Sequence, residues 1–250
     1  MKSDILGINV SVISIEDTID SILHWLYNDN VSGKYICVSN VHMIMECFDD
    51  NQFKFMVNSS NLIVPDGKPL VWAQQLMGFN IAKQVRGPSL MLKLCDIASD
   101  QNISIGLYGS KKKTLNRLEK NLLKIYPGIK IVFSYSPPFR PLSKKEQNDI
   151  NDKITKSKAR IVFIGLGCPK QERWMFNNIN ELNCILIGVG AAFDFISGEK
   201  KESPTFLQPL GLEWLFRLLM EPKRLFWRYV KTNPRFIFYF TKQLLWGKRK

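Results

Sequence analysis

Short runs of apolar, often β-branched residues alternate along the chain with longer stretches in which apolar residues recur every three or four positions. The runs are typical of strands buried on both faces, and the longer stretches are typical of amphipathic helices. Strands are predicted at 5–12, 35–38, 62–64, 104–108, 130–134, 161–164 and 185–189. Helices are predicted at 15–27, 43–58, 68–77, 89–101, 111–125, 144–156 and 171–180. Ser14 and Ser143 precede two of these helices, each with an acidic residue three positions later, which is the pattern of a capping box.

This alternation predicts an α/β fold with a Rossmann-like, mostly parallel sheet that is covered by helices. The segment 203–209 contains two prolines and is a plausible boundary. We therefore predict an α/β body at residues 1–203 and a basic, aromatic, helical C-terminal appendage at residues 204–250.

The composition of the 250 residues, 45% hydrophobic and 23% charged, is that of a globular protein. It excludes a disordered chain, a collagen and a disulfide-stapled mini-protein. The five cysteines form no CxxC pair, which argues against a zinc site or a disulfide framework and favours a reducing compartment. The N-terminus has early acidic residues and no long apolar region, so no signal peptide is expected. No apolar run reaches the roughly 18 residues that a transmembrane helix needs.

The net charge of +13 is concentrated at the C-terminus, where residues 217–250 carry ten basic residues and one acidic residue. The same segment contains eight aromatic residues. Cations that meet anionic headgroups, with aromatic rings at the headgroup boundary, are typical of a membrane surface. The composition also suits nucleic-acid binding through phosphates and stacking. A helix packed on the body with a solvated basic face is the third interpretation, and composition alone leaves all three open.

Ligands of parallel α/β sheets bind beyond the carboxyl ends of the strands, so residues that follow predicted strands are site candidates. Ser39 and Asn40 follow the second strand, where they can bond a ligand or cap the next helix. Asp66 and Gly67 follow the third, and a carboxylate on such a turn is either a capping residue or a general base. Gly109 follows the fourth, where the start of the next helix can attract phosphate.

The segment 165–174 is the richest in candidate chemistry. Its turn contains Gly167 and a proline, followed by Gln171 and Glu172. Gln171 can read uracil or sugar hydroxyls, whereas Glu172 also suits a helix N-terminus without any ligand. Asp194 follows the last strand and either binds a ribose or sugar hydroxyl or holds neighbouring loops.

Six strings stand in order along the chain: VSNVHM, VPDGKPLVWA, IGLYGS, IGLGCPKQERWM, GVGAAFDFISGE and GLEWLFRLLMEPKRLFWRYV. Together they resemble the WecG/TagA/CpsF glycosyltransferase family, and the resemblance runs from about Ile5 to Tyr229. It implies an inverting transfer of a hexose-type sugar, N-acetylmannosamine or a relative, from a UDP-sugar to a polyprenyl-diphosphate-linked sugar. It also implies a Rossmann-like body, an appendage that approaches the membrane, and catalysis without a metal or another cofactor. The pathway would be bacterial cell-surface polysaccharide synthesis of the capsule, exopolysaccharide, teichoic acid or enterobacterial-antigen type.

The resemblance makes Asp66 the general base that deprotonates the acceptor hydroxyl. The predicted substrate-binding residues are polar residues and glycines near strand ends and helix starts: Ser39, Asn40, Gly67, Arg86, Gly109, Gly167, Gln171, Glu172 and Asp194. The predicted clamp for the lipid diphosphate consists of three appendage arginines: Arg217, Arg224 and Arg228.

The sequence departs from the family pattern at Gln84, Ser89 and Glu202, where the family commonly has arginine, aspartate and a basic residue. A common family threonine is Val38 here. These departures leave the general reaction in place but open the choice of donor sugar to N-acetylmannosamine, glucose, a uronic acid or another hexose.

The predicted partners are a UDP-sugar, a polyprenyl-diphosphate-linked acceptor and the inner surface of the cytoplasmic membrane, on which the protein would be peripheral. Nucleic acid is not a predicted partner, because it would leave the glycines and polar residues at the strand ends unexplained. The alternative within the same fold is a nucleotide-sugar-binding protein without transferase activity, degenerate at Gln84 and Ser89. The sequence leaves the oligomeric state open.

Overall fold

The computed structural model describes residues 1–28 and 33–247. Its strands are β1 (Lys2–Ile5), β2 (Ile8–Ser11), β3 (Lys34–Ser39), β4 (Leu62–Pro65), β5 (Ser104–Gly109), β6 (Lys130–Tyr135), β7 (Ile161–Gly165) and β8 (Ile185–Gly188). Strands β3 to β8 form one parallel sheet in the order β4-β3-β8-β7-β5-β6. The predicted parallel sheet is confirmed, and its strand ends agree with the sequence prediction to within one residue.

The predicted first strand at 5–12 is wrong, because these residues belong to an antiparallel hairpin of β1 and β2. Leu6 and Gly7 form the turn, and both have positive φ angles, of 53° and 84°. Two such residues are typical of tight hairpin turns. The prediction missed the turn because Leu6 continues the apolar run and only Gly7 interrupts it.

The helices are α1 (Ile15–Tyr27), α2 (Val41–Asp49), α3 (Asn51–Asn58), α4 (Lys68–Leu76), α5 (Gly87–Asp100), α6 (Lys112–Ile125), α7 (Lys144–Ser157), α8 (Lys170–Asn178), α9 (Ala192–Ile196), α10 (Glu213–Met220) and α11 (Pro222–Gly247). Both predicted capping boxes are present, at the starts of α1 and α7. The single predicted helix at 43–58 is instead α2 and α3. Asp50 breaks it, because its backbone is extended and its carboxylate accepts the N–H of Phe53 at 3.0 Å.

The sheet separates two apolar cores. Neighbouring residues of a strand point to opposite faces, so Leu186 of β8 enters one core while Ile185 and Ile187 enter the other. The first core is covered by the hairpin, α2, α3, α7, α8 and part of α11. The second core is covered by α1, α5, α6 and α9. Helices on both faces leave the strand ends as the open edges of the sheet.

The appendage contains α10 and the long helix α11. The second half of α11 is anchored on the body, because Phe236 and Phe240 are buried in the core that α2 covers. Arg235 adds a two-bond ion pair to Asp49 at the end of α2, at 2.9 and 2.5 Å. The first half and α10 expose large apolar side chains, including Trp227, which is 73% exposed. Within the described residues, no helix combines the length and the apolar character that crossing a bilayer requires.

Candidate active site

A cleft of about 1490 Å³ lies at the carboxyl edge of the sheet. Its floor is formed by residues at the ends of β3, β4, β5, β7 and β8. One side is the loop 137–143 between β6 and α7, and the other is formed by α10 and α11. The strand-end location predicted for the site therefore coincides with the large cavity of the described structure, and the appendage forms part of its wall.

Asp66 lies in the floor of this cleft, directly after β4. Its backbone N–H donates to the carbonyl of Ser39 at 2.7 Å, and its carboxylate accepts the N–H of Gly87 at 3.2 Å. Burial raises the pKa of Asp66 to about 6, with the negative charge of Glu213 as a second cause. A carboxylate with a pKa near neutrality is well suited to accept a proton from a substrate.

Three of the sequence departures meet beside Asp66. The Gln84 amide donates to the backbone carbonyl of Asp66 and, at 3.0 Å, to the Glu213 carboxylate. Arg86 pairs with Glu202 at 2.5 Å and with Glu213 at 2.7 Å. The Arg86 guanidinium also donates to the hydroxyl of Ser89 at 3.4 Å. The guanidinium that the family pattern has at position 84 is thus absent there, while Arg86 supplies one within the same cluster.

The end of β3 lies next to Asp66. Asn40 lines the cleft and caps α2, since its side-chain oxygen accepts the N–H of Met43 at 3.2 Å. No described residue binds its side-chain amide nitrogen, which can therefore donate to a ligand. The Ser39 hydroxyl is fully buried, and its oxygen has no hydrogen-bond partner among the described residues. Gly67 also lines the cleft, as the residue before α4.

The predicted contribution of Gly109 to a phosphate site needs correction, because Gly109 does not line the cleft although Ser110 does. Its φ is +127°, and an added Cβ would lie 2.6 Å from the backbone of Gly165. Gly109 therefore allows β5 and β7 to approach closely. Gly167, with φ of +80°, lies in the cleft wall and has open space where a Cβ would stand.

Gln171 and Glu172 are buried side by side at the start of α8. The Gln171 oxygen accepts the N–H of Gly167 at 3.2 Å, and its nitrogen donates to Glu172 at 2.7 Å. Gln171 reaches the cleft wall, whereas Glu172 does not, so the predicted contact of Glu172 with substrate is not supported. Burial raises the pKa of Glu172 to about 7, and its second oxygen has no described partner. The pair fixes the glycine turn after β7.

Asp194 also lines the cleft, from α9. It forms an ion pair with Lys200 at 2.6 Å, and Lys200 also approaches Glu221 at 3.3 Å. Glu221 binds Arg224 through two hydrogen bonds, of 2.6 and 2.8 Å. This chain of alternating charges links the body to the start of α11.

Arg217 and Arg228 add positive charge to the same wall without a carboxylate partner among the described residues. Arg217 lies over the ring of Phe195 at 5.6 Å, and its buried Nε has no hydrogen-bond partner. Burial and the nearby Arg224 lower the pKa of Arg228 from its ordinary value. The structure brings all three predicted appendage arginines to one cleft, where the spare positive charge can hold phosphate oxygens.

Two residues of this cleft were not assigned from the sequence. His42 lines it, and burial together with Arg228 lowers the pKa of His42 to about 4, so its ring is neutral near pH 7. Glu213 faces Asp66 from α10. The sequence feature that could have identified it is its position within the GLEW string. Across 1–28 and 33–247, no group of three or more His, Cys, Asp or Glu side chains is placed to hold a metal ion.

Comparisons with known proteins find a matching family model and several similar proteins. A model of the "Glycosyl transferase WecG/TagA/CpsF family" matches residues 3–250. A similar protein from Bacillus spizizenii strain W23 is named N-acetylglucosaminyldiphosphoundecaprenol N-acetyl-beta-D-mannosaminyltransferase. It is 29% identical over 219 residues, which cover 87% of this chain and 82% of that protein. A protein of the same name from Staphylococcus aureus strain MW2 is 26% identical over 250 residues, which cover 100% of this chain and 94% of that protein.

Proposed function

The chain belongs to the WecG/TagA/CpsF family of glycosyl transferases, and on that premise we propose its reaction. It transfers a hexose-type sugar, N-acetylmannosamine or a relative, with inversion from a UDP-sugar to a sugar carried on a polyprenyl diphosphate. The reaction belongs to the synthesis of a bacterial cell-surface polysaccharide. The names of the similar proteins from Bacillus and Staphylococcus supply the sugar and the lipid carrier as candidates.

One observation carries this proposal: a carboxylate with a pKa of about 6 shares a cleft with Arg217 and Arg228, which have no carboxylate partner in the part of the chain that the structure describes. In the proposed step, Asp66 accepts the proton of the acceptor hydroxyl as the hydroxyl oxygen bonds to the anomeric carbon. The bond between that carbon and the phosphate oxygen of UDP breaks, and UDP leaves with the electron pair. Attack from the face opposite the departing UDP inverts the anomeric carbon.

The donor is proposed to lie over the ends of β5, β7 and β8. Gly167 and Gly190 line the cleft there and leave its floor open, because neither has a side chain. The N-terminus of α6 also reaches the cleft through Lys111 and Thr114, and free N–H groups at a helix start favour phosphate. Arg217, which faces the same cleft, can stabilise the charge that develops on UDP.

The acceptor is proposed to enter beneath the appendage, with its diphosphate on Arg224 and Arg228. From Arg228 onward, α11 lines the cleft at four-residue intervals with Thr232, Phe236 and Phe240. Along this helix the cleft lining therefore changes from cationic to apolar. A polyprenyl diphosphate changes in the same order, from its charged diphosphate to its apolar isoprenoid chain. Each helical residue advances about 1.5 Å, so this lining extends over roughly 18 Å.

The appendage is also proposed to hold the protein on the inner surface of the cytoplasmic membrane. Its exposed apolar residues include Leu219 and Trp227, which are 72% and 73% exposed. Basic residues such as Lys223 and Lys231 lie among them. Apolar rings and lysines at one surface match the chemistry of an anionic lipid interface. The lipid-borne acceptor would then reach the cleft without leaving the bilayer surface entirely.

The decisive experiment incubates the protein with polyprenyl-diphosphate GlcNAc and a panel of UDP-sugars, while UDP release and lipid product are followed together. Lipid product with one donor establishes the reaction and the sugar. Asp66→Asn should fold and lose most of that turnover, by about a hundredfold or more. UDP binding without transfer to any lipid acceptor would support the degenerate binding protein instead.

Membrane association is tested separately by sedimentation with vesicles that contain anionic lipid. Replacing both Phe226 and Trp227 by alanine should weaken binding, because both rings are exposed on α11. The control replaces Leu123 and Ile125, two exposed apolar residues of α6, by alanine. Equal binding by the two double variants would contradict a membrane surface on the appendage.

A further inference from the structure

A second carboxylate faces the proposed base from the appendage. Glu213 is the first residue of α10, far from Asp66 in sequence, yet the Gln84 side chain contacts both residues. The Gln84 amide nitrogen donates to the backbone carbonyl of Asp66 and, at 3.0 Å, to one Glu213 oxygen. One amide group therefore connects the turn that bears the base with the first turn of α10.

The other Glu213 oxygen is held from two further directions. Arg86 approaches it at 2.7 Å, and the Ser203 hydroxyl donates to it at 3.3 Å. Arg86 precedes Gly87, whose N–H binds the Asp66 carboxylate. The Glu213 carboxylate is thus fixed by Gln84 and Arg86, which belong to the same short segment that binds Asp66, and its side chain is only 20% exposed.

The charged groups that face Asp66 are Glu213 and Arg217 from α10 and Arg86 from the start of α5. Among them Glu213 is the negative one, and it favours the protonated form of the base. The two arginines and the Gly87 N–H act in the opposite direction. Two of the three charges therefore come from the appendage rather than from the body.

We propose that Glu213 is a positioning residue for the general base: it fixes α10 on the carboxyl edge of the sheet and supplies the negative charge that Asp66 faces. This inference rests on the proposed transferase function, because it assigns Asp66 the role of base. It explains why Gln84 and Arg86 bind an appendage residue instead of extending freely into the cleft.

The test measures kcat/KM against pH for the full chain, which reports the free enzyme's essential base. The wild-type acidic limb should lie near the Asp66 pKa of about 6. Glu213→Gln should move it to lower pH by roughly half a unit to one unit, because a like charge is removed and Arg86 is released. Glu213→Asp keeps the charge and should return the limb towards its wild-type position.

The matched control is Glu202→Gln, which removes the other carboxylate bound to Arg86. Glu202 is absent from the charges that act on Asp66, so its removal should leave the acidic limb in place whatever its effect on kcat. Equal movement of the limb in both glutamine variants, or movement in neither, would overturn the inference. A loss of kcat in Glu213→Gln with an unmoved limb would also overturn it, since that result indicates a purely structural role.

A second readout does not need turnover. In protein labelled with ¹³C at aspartate carboxyls, the Asp66 resonance is assigned by its loss in Asp66→Asn. Its titration midpoint should fall in Glu213→Gln and remain unchanged in Glu202→Gln. An unchanged midpoint in Glu213→Gln refutes the inference even in an active transferase. If no donor and acceptor pair turns over, the proposed function fails, while this titration still decides whether Glu213 acts on Asp66.

Discussion

Asp66→Asn should stabilise the protein while it removes activity. The raised pKa means that the fold disfavours the ionised carboxylate relative to the unfolded chain. The wild-type stability contribution of Asp66 is fully present below its ordinary pKa of 3.8 and is lost as the pH rises through about 6. This difference of about two pKa units corresponds to an upper bound of about 3 kcal/mol. Because the side chain keeps some contact with solvent in the cleft, we expect about 1–2 kcal/mol in practice.

Urea unfolding at about pH 8 and about pH 4 measures this effect as a difference between variant and wild type. The variant should be more stable at the higher pH, and the advantage should disappear at the lower pH. For a chain of this size, the gain corresponds to a rise in Tm of roughly 3–6 °C. The Asn oxygen can still accept the Gly87 N–H, so no hydrogen bond of the native turn is lost.

The matched control is Asp152→Asn, at an exposed position of α7. This change should alter stability by less than about 0.5 kcal/mol at either pH. An Asp66→Asn protein that is less stable than wild type at about pH 8, or equally shifted at both pH values, would refute the reasoning. That result would mean that the carboxylate is stabilised, rather than penalised, by its surroundings.

Three further predictions concern other parts of the site. Glu172→Gln should raise the free energy of unfolding by up to about 3 kcal/mol above about pH 7 and leave it unchanged below the ordinary glutamate pKa of 4.5. The reason is the same as for Asp66, because the fold raises the pKa of Glu172 to about 7 and so disfavours its ionised form. Urea unfolding at several pH values measures this change. Arg228→Ala should raise KM for a short-chain, detergent-free acceptor by about 10- to 100-fold, whereas Lys231→Ala, which removes the same charge outside the cleft, should change it by less than about threefold. Gly165→Ala should lower the free energy of unfolding by about 1–3 kcal/mol, since the added Cβ would lie 2.5 Å from a buried aromatic ring. Gly67→Ala should lower it by less than about 1 kcal/mol, because the nearest atom to its added Cβ is 3.6 Å away. Thermal unfolding of the two variants compares these losses.

The sheet could be predicted from sequence because each strand is a short apolar run whose burial is decided locally by its own side chains. The position of Asp66 follows from the same logic, since a turn after a parallel strand must lie at the carboxyl edge. The break at Asp50 was missed because the apolar periodicity continues through it, and only the capping bond to Phe53 starts a new helix. The prediction that Glu172 binds substrate arose because the sequence gives the position of Glu172 in α8 but not the direction in which its side chain points. In the structure this side chain points into the protein interior.

Glu213 could not be assigned from sequence for a different reason. Its partners Gln84 and Arg86 lie more than a hundred residues earlier, and nothing local indicates that α10 returns to the end of β4. From the sequence, the departures at Gln84 and Glu202 open the choice of donor sugar, and Gln84 together with Ser89 also leaves open a protein without transferase activity. The structure shows that Gln84 also contacts Asp66 and Glu213, whereas Glu202 pairs with Arg86 and is not among the charges that act on Asp66. An effect of Gln84 on specificity is therefore coupled to the turn that bears Asp66.

The two parts of the appendage are held on the body by different forces, and this difference bears on how the acceptor enters. The second half of α11 is fixed by the burial of Phe236 and Phe240, which salt does not weaken. The part next to the site, α10 and the start of α11, adds to the burial of Leu225 several charged contacts, such as Glu213 with Arg86 and Lys200 with Glu221. If the wall formed by α10 and the start of α11 opens to admit a lipid diphosphate, this wall should therefore move while the later part of α11 stays in place. An incoming diphosphate would compete with Glu221 for Lys200 and Arg224. Binding of the acceptor's diphosphate would then itself favour the opening of this wall.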